Sequence, residues 1–133
     1  MISGAMIVRD AEATVRAAVA SLHGVVDEVV VLDTGSKDGT VAAVESLRLD
    51  WAVAPPGAPA LRVEEWSWRD DFSAARNEVA SRCRGDWIVV LDADEALLPG
   101  DLRKLIETAP PEIDGVSARV ECECDGGAVF SFW

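Results

Sequence analysis

The sequence predicts an α/β domain, a Rossmann-like three-layer sandwich with a mostly parallel sheet and helices on both faces. Three observations predict it. Residues 29–32 and 88–91 are unbroken apolar runs rich in β-branched residues and too short for helices, as in strands buried on both faces. Segments of helical period alternate with strand-like ones along most of the chain. The polar stretches closing the two runs, residues 33–40 and 92–95, fall where open α/β sheets gather ligands, beyond the carboxyl ends of strands.

Each element follows in order. Residues 5–8 form the first expected strand. Asp10 then stands where a cap would, before a helix over residues 11–22 with Val15, Ala18, Val19 and Leu22 on one stripe. Gly24 ends it in the left-handed conformation that glycine tolerates, and His23 beside it reads as a surface residue. Residues 25–32 form the second strand. It breaks at Asp33-Thr34-Gly35-Ser36-Lys37-Asp38-Gly39-Thr40, a tight polar loop leading into a helix over residues 40–49 with Val41, Val44 and Leu47 inward. Such a βα unit is one that presents backbone amides to anions. Residues 51–61 hold four alanines, three prolines and a glycine and read as a loop, with short edge strands expected at 51–54 and 61–64.

Trp66 and Trp68 alternate across Ser67, either as packing residues or as a sugar-stacking platform. Asp70 or Asp71 caps a helix running to about Arg84, with Phe72, Ala75, Val79 and Cys83 on one stripe and Gly85 ending it. Arg76 in that helix could reach a diphosphate or a carboxylate at the strand ends, or pair with a neighbouring acid. Pro99 starts a helix through about Thr108, before the Pro110-Pro111 stop. Residues 116–124 alternate strictly, and Asp125-Gly126-Gly127 is a turn from which residues 128–133 return as a hairpin partner.

Composition narrows the function. The chain of 133 residues reads as one domain, half of it hydrophobic and 27% charged, which is globular. Its formal net charge of -12 argues against phosphate-backbone binding, so no nucleic-acid partner is expected. An acidic surface does suit a protein that recruits a divalent cation to meet a phosphorylated ligand. Cys83, Cys122 and Cys124 are an odd set and fit a reducing cytosol, and Cys122, Cys124 and His23 lack zinc-site spacing. No stretch reaches the about 18 apolar residues of a membrane span. A cytoplasmic location is expected, and a homo-oligomer is left open.

The densest chemistry is Asp92, Asp94 and Glu95 directly after the second apolar run. Three acids there repel one another unless a cation or donor-rich ligand balances them. Asp92 and Asp94, two apart in extended chain, can face one partner. The plainer reading is a solvated acidic turn capping the next helix.

Four stretches then occur together in a fixed order. They are Ala5-Met6-Ile7-Val8-Arg9-Asp10-Ala11-Glu12, residues 25–40, Trp68-Arg69-Asp70-Asp71-Phe72-Ser73-Ala74-Ala75-Arg76-Asn77, and Gly85-Asp86-Trp87-Ile88-Val89-Val90-Leu91-Asp92-Ala93-Asp94-Glu95. In this the chain resembles the family 2 glycosyltransferases, which use the GT-A nucleotide-sugar-binding fold. The resemblance implies that Asp33 hydrogen-bonds the nucleotide base, with Val8 and Asp10 lining the same pocket. It implies that Arg76 is the basic residue of that pocket. It also implies that Asp92 and Asp94 are the family's Asp-Xaa-Asp (DxD) motif, Asp92 on the ribose and both on the Mg²⁺ or Mn²⁺ that bridges the diphosphate. The donor implied is a UDP- or dTDP-sugar, and the reaction is inverting transfer of a hexose to an unknown acceptor. Asp10 stands where the family often has Asn, and Thr34 where many members have a second Asp. Members continue well past this length, and inverting transfer needs a base to deprotonate the acceptor. No residue here is assigned that role; Glu121 and Glu123 fall on the outward face of their strand. The chain therefore reads as a donor-binding half.

Three other readings compete. Leu32-Asp33-Thr34-Gly35-Ser36 resembles the active-site turn of aspartic proteases, which are all-β. A haloacid-dehalogenase-type phosphatase also ends a strand in Asp-Xaa-Asp, but there the motif opens the domain. The third is a non-catalytic module that binds a nucleotide sugar or serves assembly.

Overall fold

The computed structural model describes residues 1–53, 57–117, 120–123 and 129–132, with side chains to residue 117. Two compact units divide the chain, Met1–Arg103 and Lys104–Trp133.

The first unit is built on four strands: β1 (Ile2–Val8), β2 (Glu28–Asp33), β3 (Ala60–Glu65) and β4 (Trp87–Val90). They lie in the order β3-β2-β1-β4, and every pairing is parallel. Helices α1 (Val15–Ser21), α2 (Thr40–Ala52) and α3 (Phe72–Arg82) join them, and α4 (Leu102–Glu107) follows. β1 and β2 are buried along nearly their whole length, as their apolar runs require.

Alternation sends their side chains to two covered faces. On one, Ala5, Val30 and Leu32 pack with Val79 of α3, joined by Ile7, Trp66 and Cys83. On the other, Gly4 comes so close to α1's end that an added Cβ would stand 2.9 Å from Leu22 Cδ1. Val15, Ala18, Val19 and Leu22 are all buried, so the α1 stripe is as expected. The helices thus cover both faces.

Several local expectations are corrected. α1 begins at Val15 rather than residue 11, and Asp10 does not cap it, because its carboxylate accepts from the Lys37 amide instead. α2 continues through Trp51 and Ala52, so no edge strand lies there. Asp71 is the cap of α3, accepting from the Ala74 amide at 2.9 Å, while Asp70 takes a left-handed turn at φ 54°. Gly85 is needed for close approach rather than for a left-handed cap: a Cβ there would stand 2.7 Å from Ser3 N. Phe72 leaves the α3 core stripe and is 64% exposed.

β4 is an edge strand. Its Ile88 and Val90 are exposed, against the expectation of burial on both faces. α4 starts at Leu102, later than Pro99 suggested.

In the second unit, β5 (Val120–Glu123) and β6 (Val129–Phe132) pair antiparallel, with Val120 opposite Phe132. That is the expected hairpin. Its turn, residues 125–127, and the side chains of Cys122, Cys124, Glu121 and Glu123 lie outside what is described.

Candidate nucleotide-binding cleft

Parallel strands all end on one edge of the sheet, so their following loops converge there. The outcome is a cleft of about 460 Å³, a size that suits a small ligand. Val8 and Asp10 enter it from the end of β1, Thr34 from the end of β2, Arg76 from α3, and Asp92 and Asp94 from beyond β4. Five of the six expected site residues therefore line one space: Val8, Asp10, Arg76, Asp92 and Asp94.

Asp33 is held differently. It is only 4% exposed, and its carboxylate accepts the amides of Gly35 and Ser36, both at 3.1 Å. It pairs in register with Val8, and its neighbour Thr34 reaches the cleft while donating its hydroxyl to the Val8 carbonyl. Because β1 separates β2 from β4, Asp33 and Asp92 end strands that are two spacings apart, roughly 10 Å.

The acidic stretch after β4 divides into two roles. Glu95 turns back to accept the Asp92 amide at 3.1 Å, while its own amide donates to the Asp92 carbonyl. Asp92 and Asp94 are left facing the cleft. Arg76 Nη2 stands 3.6 Å from Asp92 Oδ1, with both side chains about half exposed. The guanidinium thus offsets part of the acidity of the cleft.

The glycine loop corrects an expectation. Five of its amides are taken by the chain's own carboxylates. Those of Gly35 and Ser36 go to Asp33, that of Lys37 to Asp10 (2.7 Å), that of Gly39 to Glu12 (3.1 Å) and that of Thr40 to Asp38 (3.0 Å). The β1–α1 segment is tied back in return. Asp10, Ala11 and Glu12 amides donate to Ser36 Oγ, Thr40 Oγ1 and Asp38 Oδ2. Asp10 sits at φ 49°, a conformation costly for a residue with a Cβ and stabilised here by those bonds. Hydrogen bonds to acids organise this loop.

Sequence reading missed Ile7, Arg9, Ala11, Thr14 and Phe72, which also line the cleft. The two tryptophans divide the alternatives left open for them. Trp66 packs on the core cluster beneath the Arg69 guanidinium, whereas Trp68 faces the cleft. A usable signal was Phe72's position directly after the Asp71 cap, which puts it at the ligand end of its helix.

Asp92 and Asp94 fit Mg²⁺ or Mn²⁺ in chemistry, since hard carboxylate oxygens suit both ions. Among the described residues no group of three His, Cys, Asp or Glu side chains surrounds one point. Asp92 and Asp94 would hold such an ion, and its remaining ligands would have to come from phosphate and water.

Fold and site together define a class: an α/β domain whose ligand cleft lies at the carboxyl edge of a parallel sheet and carries an acidic pair. Residues 3–128 match Glycosyl transferase family 2. The chain belongs to that family. It is 44% identical over 97 residues to a TPR repeat-containing protein of Synechococcus elongatus, covering 73% of this chain and 21% of that protein. It is 38% identical over 101 residues to the succinoglycan biosynthesis protein ExoO of Rhizobium meliloti, covering 74% and 26%. An uncharacterized glycosyltransferase of Rickettsia felis is 34% identical over 96 residues, covering 72% and 29%.

Among solved structures, the mannosyltransferase PcManGT from Pyrobaculum calidifontis, in complex with GDP-Man and Mn²⁺, superposes with a TM-score of 0.67 at 24% identity. That match covers 84% of this chain and 33% of that one. S. aureus TarS 1-349 in complex with UDP gives 0.64 at 20% identity, covering 80% and 31%. These neighbours establish the GT-A fold. The chain spans between 17% and 33% of the length of the proteins it matches.

Proposed function

We propose that this chain binds the donor of a metal-dependent glycosyltransferase, a nucleotide-diphosphate sugar, and that the whole protein transfers a hexose from it with inversion. The observation that carries the reading is the convergence of Asp92, Asp94 and Arg76 on one cleft, beside a loop whose Gly35, Ser36, Lys37, Gly39 and Thr40 amides are taken by the chain's own carboxylates. A diphosphate entering there meets an acidic wall, so a divalent cation on Asp92 and Asp94 is what makes it welcome. When bound, that ion stabilises charge building on the departing diphosphate.

The residues of the chain bind and orient. Arg76 exchanges its Asp92 partner for phosphate oxygen, while Val8, Asp10 and Thr34 shape the base end of the cleft. Asp33 supports that end by fixing the loop after β2. UDP-, dTDP- and GDP-sugars are all candidate donors. No helix among the described residues is long and apolar enough to cross a membrane, and a cytoplasmic site of action is part of this proposal. A binding module without turnover is the alternative that donor turnover would exclude.

Calorimetric titration of UDP, dTDP and GDP with and without Mn²⁺ tests the binding. Heat only with Mn²⁺, lost in Asp92→Asn and Asp94→Asn, is expected. Equal, negligible heats in both conditions would overturn it. Release of free nucleoside diphosphate from a bound donor then separates enzyme from module.

A further inference from the structure

Phe72 is an anomaly of packing. It occupies the first turn of an amphipathic helix whose core face is carried by Ala75 and Val79, yet it remains 64% exposed. Trp68 meets it edge to face, with centroids 4.8 Å apart and planes at 70°. The indole is fixed in turn, because its Nε1 donates to Asp70 Oδ1 at 2.8 Å. Asp71, capping the helix, pins the next residue. A short, rigid segment thus holds two aromatic rings on the wall of the cleft.

We propose that Phe72 and Trp68 form the stacking wall for the nucleobase of the donor. The proposal rests on the nucleotide-sugar reading above and names residues it leaves unassigned. Position favours a base. α3 packs over β1 and β2, so its first residue stands above the ends of those strands, where Val8 and Thr34 enter the cleft. Arg76, one turn further on, is already beside Asp92. Phe72 stands one helical turn, about 5–6 Å, from Arg76, room for a base beside a diphosphate held at Arg76. Chemistry favours it too. A hexose needs hydrogen-bond partners around its rim, and the indole N–H is already committed to Asp70. A base offers two apolar π-faces, for which ring stacking alone suffices.

The test is titration of UDP, GDP, UDP-glucose and inorganic pyrophosphate, each with Mn²⁺, into the wild-type chain, Phe72→Ala, Phe72→Tyr and Trp68→Ala. Phe72→Ala and Trp68→Ala are expected to weaken UDP and GDP by about ten- to hundred-fold, the range stacking contributes per base. Phe72→Tyr restores binding, and pyrophosphate affinity is unchanged throughout. Because Phe72 is so exposed, Tm should hardly move. Equal loss of pyrophosphate binding would make the pair structural and overturn the proposal. So would unchanged UDP affinity with weakened UDP-glucose, which would put the sugar on this wall. If UDP binds the wild type and Phe72→Ala alike, the proposal fails while the donor reading stands. If the wild type binds no nucleotide, both fall.

Discussion

Glu28 is held at 1% exposure at the amino end of β2, far from the cleft edge. Its carboxylate accepts from Ser3 Oγ at 2.8 Å and from the backbone amide and guanidinium of Arg84. Ser3 Oγ in turn accepts from the Gly85 amide, so one carboxylate ties β1, β2 and the α3–β4 turn. Burial alone would raise its pKa, but the bonds from Arg84 and Ser3 outweigh that and hold it below the ordinary 4.5. A depressed carboxylate contributes stability that is complete above its unfolded value and lost as pH falls through the folded one. Denaturant midpoints are therefore expected to be flat above pH 4.5 and to fall below it, with part of that fall abolished in Glu28→Gln. Glu28→Ala is expected to cost about 2 kcal/mol or more in chemical unfolding, since it strands buried donors. None of this is legible in the sequence. A glutamate opening an apolar run looks like a solvated strand end, and its partners lie 25 and 56 positions away.

At the scale of elements, strands and helices were readable because their periods are local, while their ends were not. α1 begins a turn later than expected, and the amides of Asp10, Ala11 and Glu12, which would have no partner inside a helix starting there, find theirs in the β2–α2 loop. Those bonds join loops that are 26 to 29 residues apart, beyond the reach of any capping rule. The two loops act as one clasp, with separable halves. Glu12 holds the Gly39 amide, and Asp33 holds those of Gly35 and Ser36. In Glu12→Ala, amide exchange measured by NMR should accelerate at Gly39 and stay slow at Gly35 and Ser36. Acceleration across the whole loop would show that Glu12 governs it all, and the picture of two halves would be wrong. Gly39→Ala should mimic the first result, because its Cβ would stand 2.4 Å from Glu12 Oε1 and displace that carboxylate.

At the scale of the molecule, the alternation of elements announced a parallel sheet, but strand order did not follow from it. The run in β4 reads as burial on both faces, yet among the described residues it pairs only with β1, and the face that carries Ile88 and Val90 is exposed. Charge, by contrast, is a whole-chain property that survives folding. The net -12 surrounds a cleft where Arg9 and Arg76 face Asp10, Asp92 and Asp94. A metal-free pyrophosphate is therefore repelled both by the near acids and by the distant surface. Raising ionic strength from 0.01 to 0.15 M shortens the screening length from about 30 Å to about 8 Å. Residual metal-free binding should then strengthen with salt, because the repulsion being screened outweighs the attraction of the two arginines. With Mn²⁺ seated on Asp92 and Asp94 the contact becomes attractive, and the same salt should weaken it. Opposite slopes in the two titrations are the expected outcome. Metal-free affinity that matches the Mn²⁺ value and falls with salt would mean that arginines alone hold the diphosphate, and the acidic pair would have to be given another role.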